Sequence, residues 1–423
     1  MQYNQSSTVL NNDLAFYSKS DEQHDSTTRS DKVKADKIAI YTFVDAFGWE
    51  VYQRYGFLND LMPYARRLET TFGFSSAADP SILTGRFPDE HGHWSAFYYD
   101  PENSPFKWFK SLSYLPGVIF DRWRVRHWLS KFIKAAYGYT GYFELYSVPF
   151  DKLPHFDYLE KRDYFVPGGI LKTDTIFDWC ANNKVPYYCS NWRESEETVV
   201  EANKREISKG EIKMAYVYLP KLDALMHNYG TKHDKVNEKI RWLEDQVLDV
   251  YETAKQHYKE VSLYVISDHG MADVSGSVDL IKKINGLGLT YGEDYVAMYD
   301  STMARFWFPN PSARAKVEEC LSQVDEGKIV SEDELKQMRV PHEGAKFGEL
   351  FFLMNPGILI NPSYMGLKVI PGMHGYHPHD KDSYASIISN RPIPENINSI
   401  TDIRKTMQHE LEQYCVGTVP ADK

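Results

Sequence analysis

Apolar positions along this chain follow two alternating periods. Short β-branched runs occur at 37–44 (KIAIYTFV), 212–219 (IKMAYVYL) and 261–266 (VSLYVI). Continuous apolar runs of that length read as strands buried on both faces of a parallel sheet. Between the last two, Val236, Ile240, Leu243, Val247, Val250 and Ala254 recur within 232–257. That period, about 3.6 residues, predicts a long amphipathic helix. Residues 173–182 predict a further helix and 185–189 a strand. Helix is also expected from Trp49 to about Arg67, with a break or restart at Pro63. Mixed helices and strands follow over 279–364, including 303–309 (MARFWFP), 349–354 (ELFFLM) and 357–360 (GILI). No internal repeat is present. Strands that alternate with helices in this way predict an α/β fold with a mostly parallel central sheet.

Two stretches break the rhythm. Residues 1–35 are polar and aperiodic, and read as a flexible tail. Residues 95–168 are crowded with Trp, Tyr and Phe and interrupted by Pro101, Pro105, Pro116, Pro149 and Pro154. Within them, 106–134 carries seven Lys or Arg against one Asp. This stretch is expected to be an inserted, aromatic-rich cap on a catalytic domain spanning 36–423.

Composition narrows the setting. Hydrophobic (42%) and charged (25%) contents are those of a globular chain, and the net charge of −11 argues against a nucleic-acid polymer as partner. The four cysteines, Cys180, Cys189, Cys320 and Cys415, form no CxxC pair. The amino terminus shows neither a basic n-region nor an apolar h-region, and no apolar run is long enough to span a bilayer. A reducing, cytoplasmic location is therefore expected.

The chemistry gathers where the apolar runs stop. The strand at 261–266 ends at Ser267-Asp268-His269-Gly270, the first strand ends at Asp45, and the strand at 212–219 runs into Pro220-Lys221-Leu222-Asp223 with His227 four residues on. A late loop, 371–380 (PGMHGYHPHD), adds His374. Sites in open α/β sheets lie outside the carboxyl ends of the strands. Asp223 and His227 share one helical face. Asp45, Asp223, His227, Asp268, His269 and His374 are too many ligands for one tetrahedral zinc ion but suit two divalent cations. A cation pair clamps the attacking and leaving oxygens of an in-line phosphoryl displacement. Ser75 lies at an expected helix start, where an anion is favoured. Metal coordination could ionise its hydroxyl. Two dications against three carboxylates leave one positive charge, which an alkoxide would neutralise.

These residues resemble the alkaline phosphatase superfamily, and within it the type I phosphodiesterase/nucleotide pyrophosphatase branch. The likeness runs in order through Asp45, Ser75 with Thr84-Gly85-Arg86-Phe87-Pro88-Asp89-Glu90-His91-Gly92, Tyr218 to Asp223 with His227 and Gly230, Ser267 to Met271, and His374-Gly375-Tyr376. The resemblance implies a three-layer α/β sandwich and a bimetal site, usually zinc, with manganese as the alternative. By position, Asp223, His227 and His374 would hold one ion, and Asp45, Asp268 and His269 the other. Ser75 would bridge them as the nucleophile that forms a phosphoseryl enzyme. Two features depart from the branch. Its usual nucleophile is Thr where this chain has Ser75, and its phosphate-binding Asn is replaced near Ala96. Ser76, in a Ser-Ala-Ala run like that of the phosphomonoesterases, is a second nucleophile candidate. A sulfatase is disfavoured, because the fifth position from Ser75 is Asp79 rather than Arg.

The expected activity is metal-dependent hydrolysis of a phosphodiester or pyrophosphate. A phosphomonoesterase or phosphotransferase is the alternative, and a non-catalytic phosphate-ligand binding protein a third. Expected substrates are small phosphate esters, including nucleotide-sugar, glycan and lipid-linked compounds. The cap is either plain core or a lid. As a lid it would place Arg122, Arg124, Arg126 and Lys131 near phosphate or anionic lipid. Trp123, Trp128 and Phe132 would then stack on a base or sugar, or sit at a membrane surface through 106–134. His377 and His379 are expected to be solvated loop residues beside His374.

Overall fold

The computed structural model describes residues 34–112, 122–341 and 343–414. The chain order of the strands used below is β1 (Ala35–Val44), β2 (Tyr64–Leu68), β3 (Tyr187–Cys189), β4 (Met214–Leu219), β5 (Tyr258–Ile266), β6 (Val296–Tyr299), β7 (Met303–Trp307), β8 (Gly327–Val330), β9 (Leu350–Met354) and β10 (Ala385–Ser389).

Alternation within β1 explains the layering. Ile38, Ile40 and Val44 pack to one side, where the helix Asp234–His257 supplies Val236, Ile240, Leu243, Val247, Val250 and Ala254. Ala39, Tyr41 and Phe43 pack to the other side, against Ala78, Ile82 and Leu83 of the helix Ser75–Thr84 and Ile403, Met407 and Leu411 of the helix Ile403–Leu411. A strand apolar on both sides has to be covered on both sides. The result is a sheet between two helical layers.

The central sheet runs β2-β10-β5-β1-β4-β3. β3, β4, β1 and β5 are mutually parallel, and β10 lies antiparallel between β5 and β2. Register decides where the site falls. Val44 pairs with Leu219 and Phe43 with Ile266, so the carboxyl ends of β1, β4 and β5 finish level. The turns that leave these three strands therefore emerge side by side.

A second, antiparallel sheet of order β6-β7-β9-β8 packs with much of the aromatic segment. Phe97, Phe106, Phe109, Ile133, Phe143, Phe156 and Tyr158 share one core with Tyr295, Phe306 and Trp307. The strands Phe97–Tyr99 and Phe156–Tyr158 pair antiparallel, and one long helix, Trp123–Tyr137, rises between them in sequence.

Two elements differ from expectation. Helix after Trp49 ends at Tyr55, because Gly56 follows in a positive-φ conformation (φ 68°). Residues 64–68 then form β2 instead of continuing a helix, paired with β10 along its whole length. Pro63 leads into this strand, since it biases the preceding residue away from helix and cannot extend one itself. The strand β10 (ASIIS) is an element that the sequence pattern did not announce.

Candidate metal centre and nucleophile

Asp45 is the first residue beyond β1, and its carboxylate is buried. The next residue, Ala46, takes φ 60°, and its N–H donates to Asp268 Oδ1 (3.2 Å). Asp268 and His269 leave β5 one residue later than Asp45 leaves β1. Two glycines permit the crossing of these turns. A Cβ on Gly48 would lie 2.3 Å from Gly270 Cα, and one on Gly270 would lie 2.2 Å from Asp382 O. Only residues without side chains can approach so closely.

Beyond β4 the helix Lys221–Tyr229 begins at once, and its i, i+4 spacing brings His227 Nε2 to 3.3 Å from Asp223 Oδ2. His227 Nδ1 shares its hydrogen bond with Gly372 O (2.8 Å), and His269 Nδ1 with Gly270 O (2.9 Å). A backbone acceptor at Nδ1 fixes that nitrogen as the N–H and leaves Nε2 facing inward, the arrangement ligating imidazoles use. His374 follows the short strand Gly372–Met373, which pairs with Ala272–Asp273 and so hangs the late loop beside β5. Its Nε2 lies 3.6 Å from Asp223 Oδ1, and its ring stacks on His269 at 3.8 Å.

Ser75 opens the helix Ser75–Thr84, and its Oγ lies 3.3 Å from His269 Nε2. His269 Nε2 is also 2.9 Å from Asp268 Oδ2 and 3.8 Å from Asp45 Oδ1. Phe74, the residue before the serine, packs edge-on against the His374 ring at 5.7 Å. All seven residues singled out from the sequence thus lie in one cluster. Ser76 points elsewhere, with its Oγ toward Trp94 O (3.4 Å). His377 and His379 stand together, rings 5.3 Å apart, outside the ligand groups found among the described residues.

The electrostatics are those of a centre built for positive charge. Burial, then the neighbouring Asp268 and Asp223, push Asp45 well above the usual carboxylate range. Burial opposes charge on His269, but Asp268 and Asp223 outweigh it and raise the imidazole to about 9. Burial and the His269 charge hold His374 well below the ordinary histidine value. Burial works against the Asp223 carboxylate, yet His227, His374 and His269 keep it below the usual range. Within the ligand cluster, three buried polar atoms, Asp45 Oδ1, Asp223 Oδ1 and His374 Nδ1, have no hydrogen-bond partner, while Asp268 Oδ2 faces His269 Nε2 at 2.9 Å. Buried polar atoms of this kind are costly unless something else satisfies them. Among the described residues, two sets converge within ligand range: Asp45, Asp268 and His269, and Asp223, His269 and His374. The donor set fits divalent cations, with His269 standing between both sets and His227 held against Asp223.

Two residues in this neighbourhood went unnoticed as site residues in sequence. Phe74 is one. Asp79, one helical turn beyond Ser75, is the other. It is buried, and its Oδ1 is unpartnered. Burial, then Asp268 and Glu160, raise its carboxyl well above the usual range. Its four-residue spacing from Ser75 was the available signal.

A model of the family described as type I phosphodiesterase / nucleotide pyrophosphatase matches residues 43–377. The chain belongs to this family. That span contains every residue of the cluster, from Asp45 to His374. No curated protein matches the chain. Among solved structures it is similar to murine ectonucleotide pyrophosphatase / phosphodiesterase 5, an inactive variant in complex with AMP, with a TM-score of 0.61 at 16% identity over 92% of this chain and 97% of that one. It is also similar to the human ectonucleotide pyrophosphatase / phosphodiesterase 5, with a TM-score of 0.60 at 13% identity, covering 92% and 97%. Phosphonoacetate hydrolase from Sinorhizobium meliloti 1021, in complex with phosphonoacetate, gives 0.60 at 12% identity, covering 90% and 96%. At such identities the likeness is one of fold, and that fold is of the alkaline phosphatase type. This type I phosphodiesterase family member is accordingly a phosphoric ester hydrolase.

Proposed function

We propose that the chain hydrolyses phosphodiester or pyrophosphate bonds of small molecules through a phosphoseryl intermediate on Ser75, at a site for two divalent cations. One observation carries this reading: the Ser75 hydroxyl sits 3.3 Å from His269 Nε2, in a cluster of three carboxylates of which Asp45 and Asp223 each keep an unpartnered oxygen. Asp45, Asp268 and His269 would hold one ion, and Asp223, His227 and His374 the other, with zinc or manganese suiting this mix of oxygen and nitrogen donors. Such ions, when bound, supply Lewis acidity and lower the pKa of oxygen nucleophiles.

The chain's own residues do the rest. The start of the Ser75–Thr84 helix offers free backbone N–H groups to an anion. Ser75 Oγ attacks phosphorus as its hydroxyl proton passes to solvent, the Oγ–P bond forms, and the bond to the leaving alcohol or phosphate breaks. The departing oxygen takes up a proton. Water then attacks the phosphoserine, releases the phosphoryl product and restores the Ser75 hydroxyl. Phe74 and the backbone hydrogen bonds to His227 and His269 keep the serine and imidazoles from drifting. The AMP bound by the murine relative supports a nucleotide-type substrate. The cysteine pattern alone supports a reducing, cytoplasmic setting.

A serine at position 75, followed by Ser76-Ala77-Ala78, favours a monoesterase or phosphotransferase as the second reading. Parallel turnover of bis-p-nitrophenyl phosphate, a nucleoside nitrophenyl ester and p-nitrophenyl phosphate, with added zinc or manganese, separates the two. Release from the monoester alone would remove the diesterase reading. Acid quenching with labelled substrate should trap phosphate on the Ser75 peptide and none on Ser75→Ala, and label elsewhere would refute the nucleophile assignment.

A further inference from the structure

The helix Trp123–Tyr137 is built inside out. Its buried side consists of Arg126, Ser130 and Ile133. Arg126 donates to Tyr146 O (3.1 Å) and Val148 O (2.7 Å) and lies 4.5 Å over the Phe150 ring. Ser130 Oγ bonds to Arg126 O and Glu144 Oε1, each at 2.8 Å. Arg126 is thus a structural anchor and is not placed to meet a substrate phosphate.

Turning half-way round the helix, at about 100° per residue, brings Arg124, Trp128, Lys131, Phe132 and Ala135 to the outer side, all exposed. Trp128 is 74% exposed and Phe132, one turn further on, 63%. Trp123 at the helix start is also 63% exposed. The outer stripe is therefore aromatic where the inner one is partly polar. Arg124 and Lys131 flank these rings, and the helix WRVRHWLSKFIKAAY contains no acidic residue. This lies in a chain whose net charge is −11.

We propose that this face docks the protein onto an anionic phospholipid surface. Trp128 and Phe132 would enter the headgroup layer, with Arg124 and Lys131 beside the lipid phosphates. Charge complementarity selects this occupant. An acidic protein is repelled by an anionic bilayer everywhere except where its local charge is reversed, and here the reversal coincides with exposed aromatic rings. Interfacial helices pair cations with aromatics in this way. No described helix is long and apolar enough to cross a membrane. The proposal is independent of the hydrolase reading.

Flotation of the full chain with phosphatidylcholine vesicles, with and without phosphatidylglycerol, tests it. Binding is expected only with phosphatidylglycerol, and to weaken as salt is raised. Arg124→Glu with Lys131→Glu should weaken binding roughly tenfold or more. Trp128→Ser with Phe132→Ser should do the same while the melting temperature is kept, because these side chains face water. If the aromatic pair variant fails to fold, the charge variant and Trp128→Ala carry the test. Equal binding to both vesicle types, no binding to either, or variants that match the wild type would overturn the proposal. So would light scattering that shows Trp128-dependent self-association in place of lipid binding, since the face would then be a protein interface.

Discussion

His269 lies between Ser75, Asp268 and Asp45, and its neighbours hold it protonated to about 9. A cation bound there must displace that proton. Below this pH, binding releases a proton from His269, so apparent affinity climbs as pH rises and levels off near 9. Calorimetric titration of metal-stripped protein in buffers of different ionisation heat would measure the release, and affinity that stays flat from neutral pH up to that value would contradict the assignment. Glu160 gives a second, separate pH effect. Burial raises it from 4.5 to about 8, so the folded chain keeps a proton that the unfolded chain has already lost. Rising pH therefore costs stability across that window. Glu160→Gln should gain about 1–2 kcal/mol at about pH 8 and nothing at about pH 4, allowing for partial solvent contact. Melting curves at both values would show it. At this scale the ligands were legible because metal-capable side chains sit abruptly at the ends of apolar runs. Asp79 and Phe74 were not, because a helical Asp and a loop Phe have ordinary uses and gain significance only from what packs on them.

At the level of elements, the turns that leave β1 and β5 hold each other at Gly48 and Gly270. Gly48→Ala would drive a methyl into the Gly270 backbone, which cannot retreat while Gly270 itself is held by Ser383 O (3.0 Å). A loss of about 3 kcal/mol or more is expected, with metal affinity falling alongside stability. Denaturant melts and metal titration of the one variant would show whether the two move together. The long helix was legible because six apolar residues keep its period. β2 was not, since YARRL has only Leu68 fully buried, carries two arginines and lacks alternation. Its strand identity comes from β10, a pairing across more than three hundred residues that leaves no local pattern.

Across the whole molecule, Arg305 on β7 ties the aromatic segment to the second sheet. It is fully buried and reaches Asp300 Oδ2 (2.8 Å), Ser95 Oγ (2.9 Å), Phe97 O (3.1 Å) and Phe347 O (3.2 Å). Arg305→Met would strand the Asp300 charge and should cost about 3–5 kcal/mol, and adding Asp300→Asn should restore part of it. A double-mutant cycle by chemical denaturation measures the coupling. The sequence pattern marked the aromatic segment as something apart from the α/β rhythm. It could not show that its phenylalanines share a core with β6 and β7, because packing partners distant in sequence have no signature in local periodicity.

The ring of Phe74, wedged against His374 one residue ahead of Ser75, the proposed nucleophile, ties an early helix to a loop near the end of the described chain. Nascent or truncated chains lacking that loop would have a serine with no wall behind it. Catalysis should consequently switch on late, after the carboxyl-terminal strand has been threaded into the sheet. In refolding, recovery of turnover should trail recovery of helical signal, which makes the enzyme its own reporter of a finished fold.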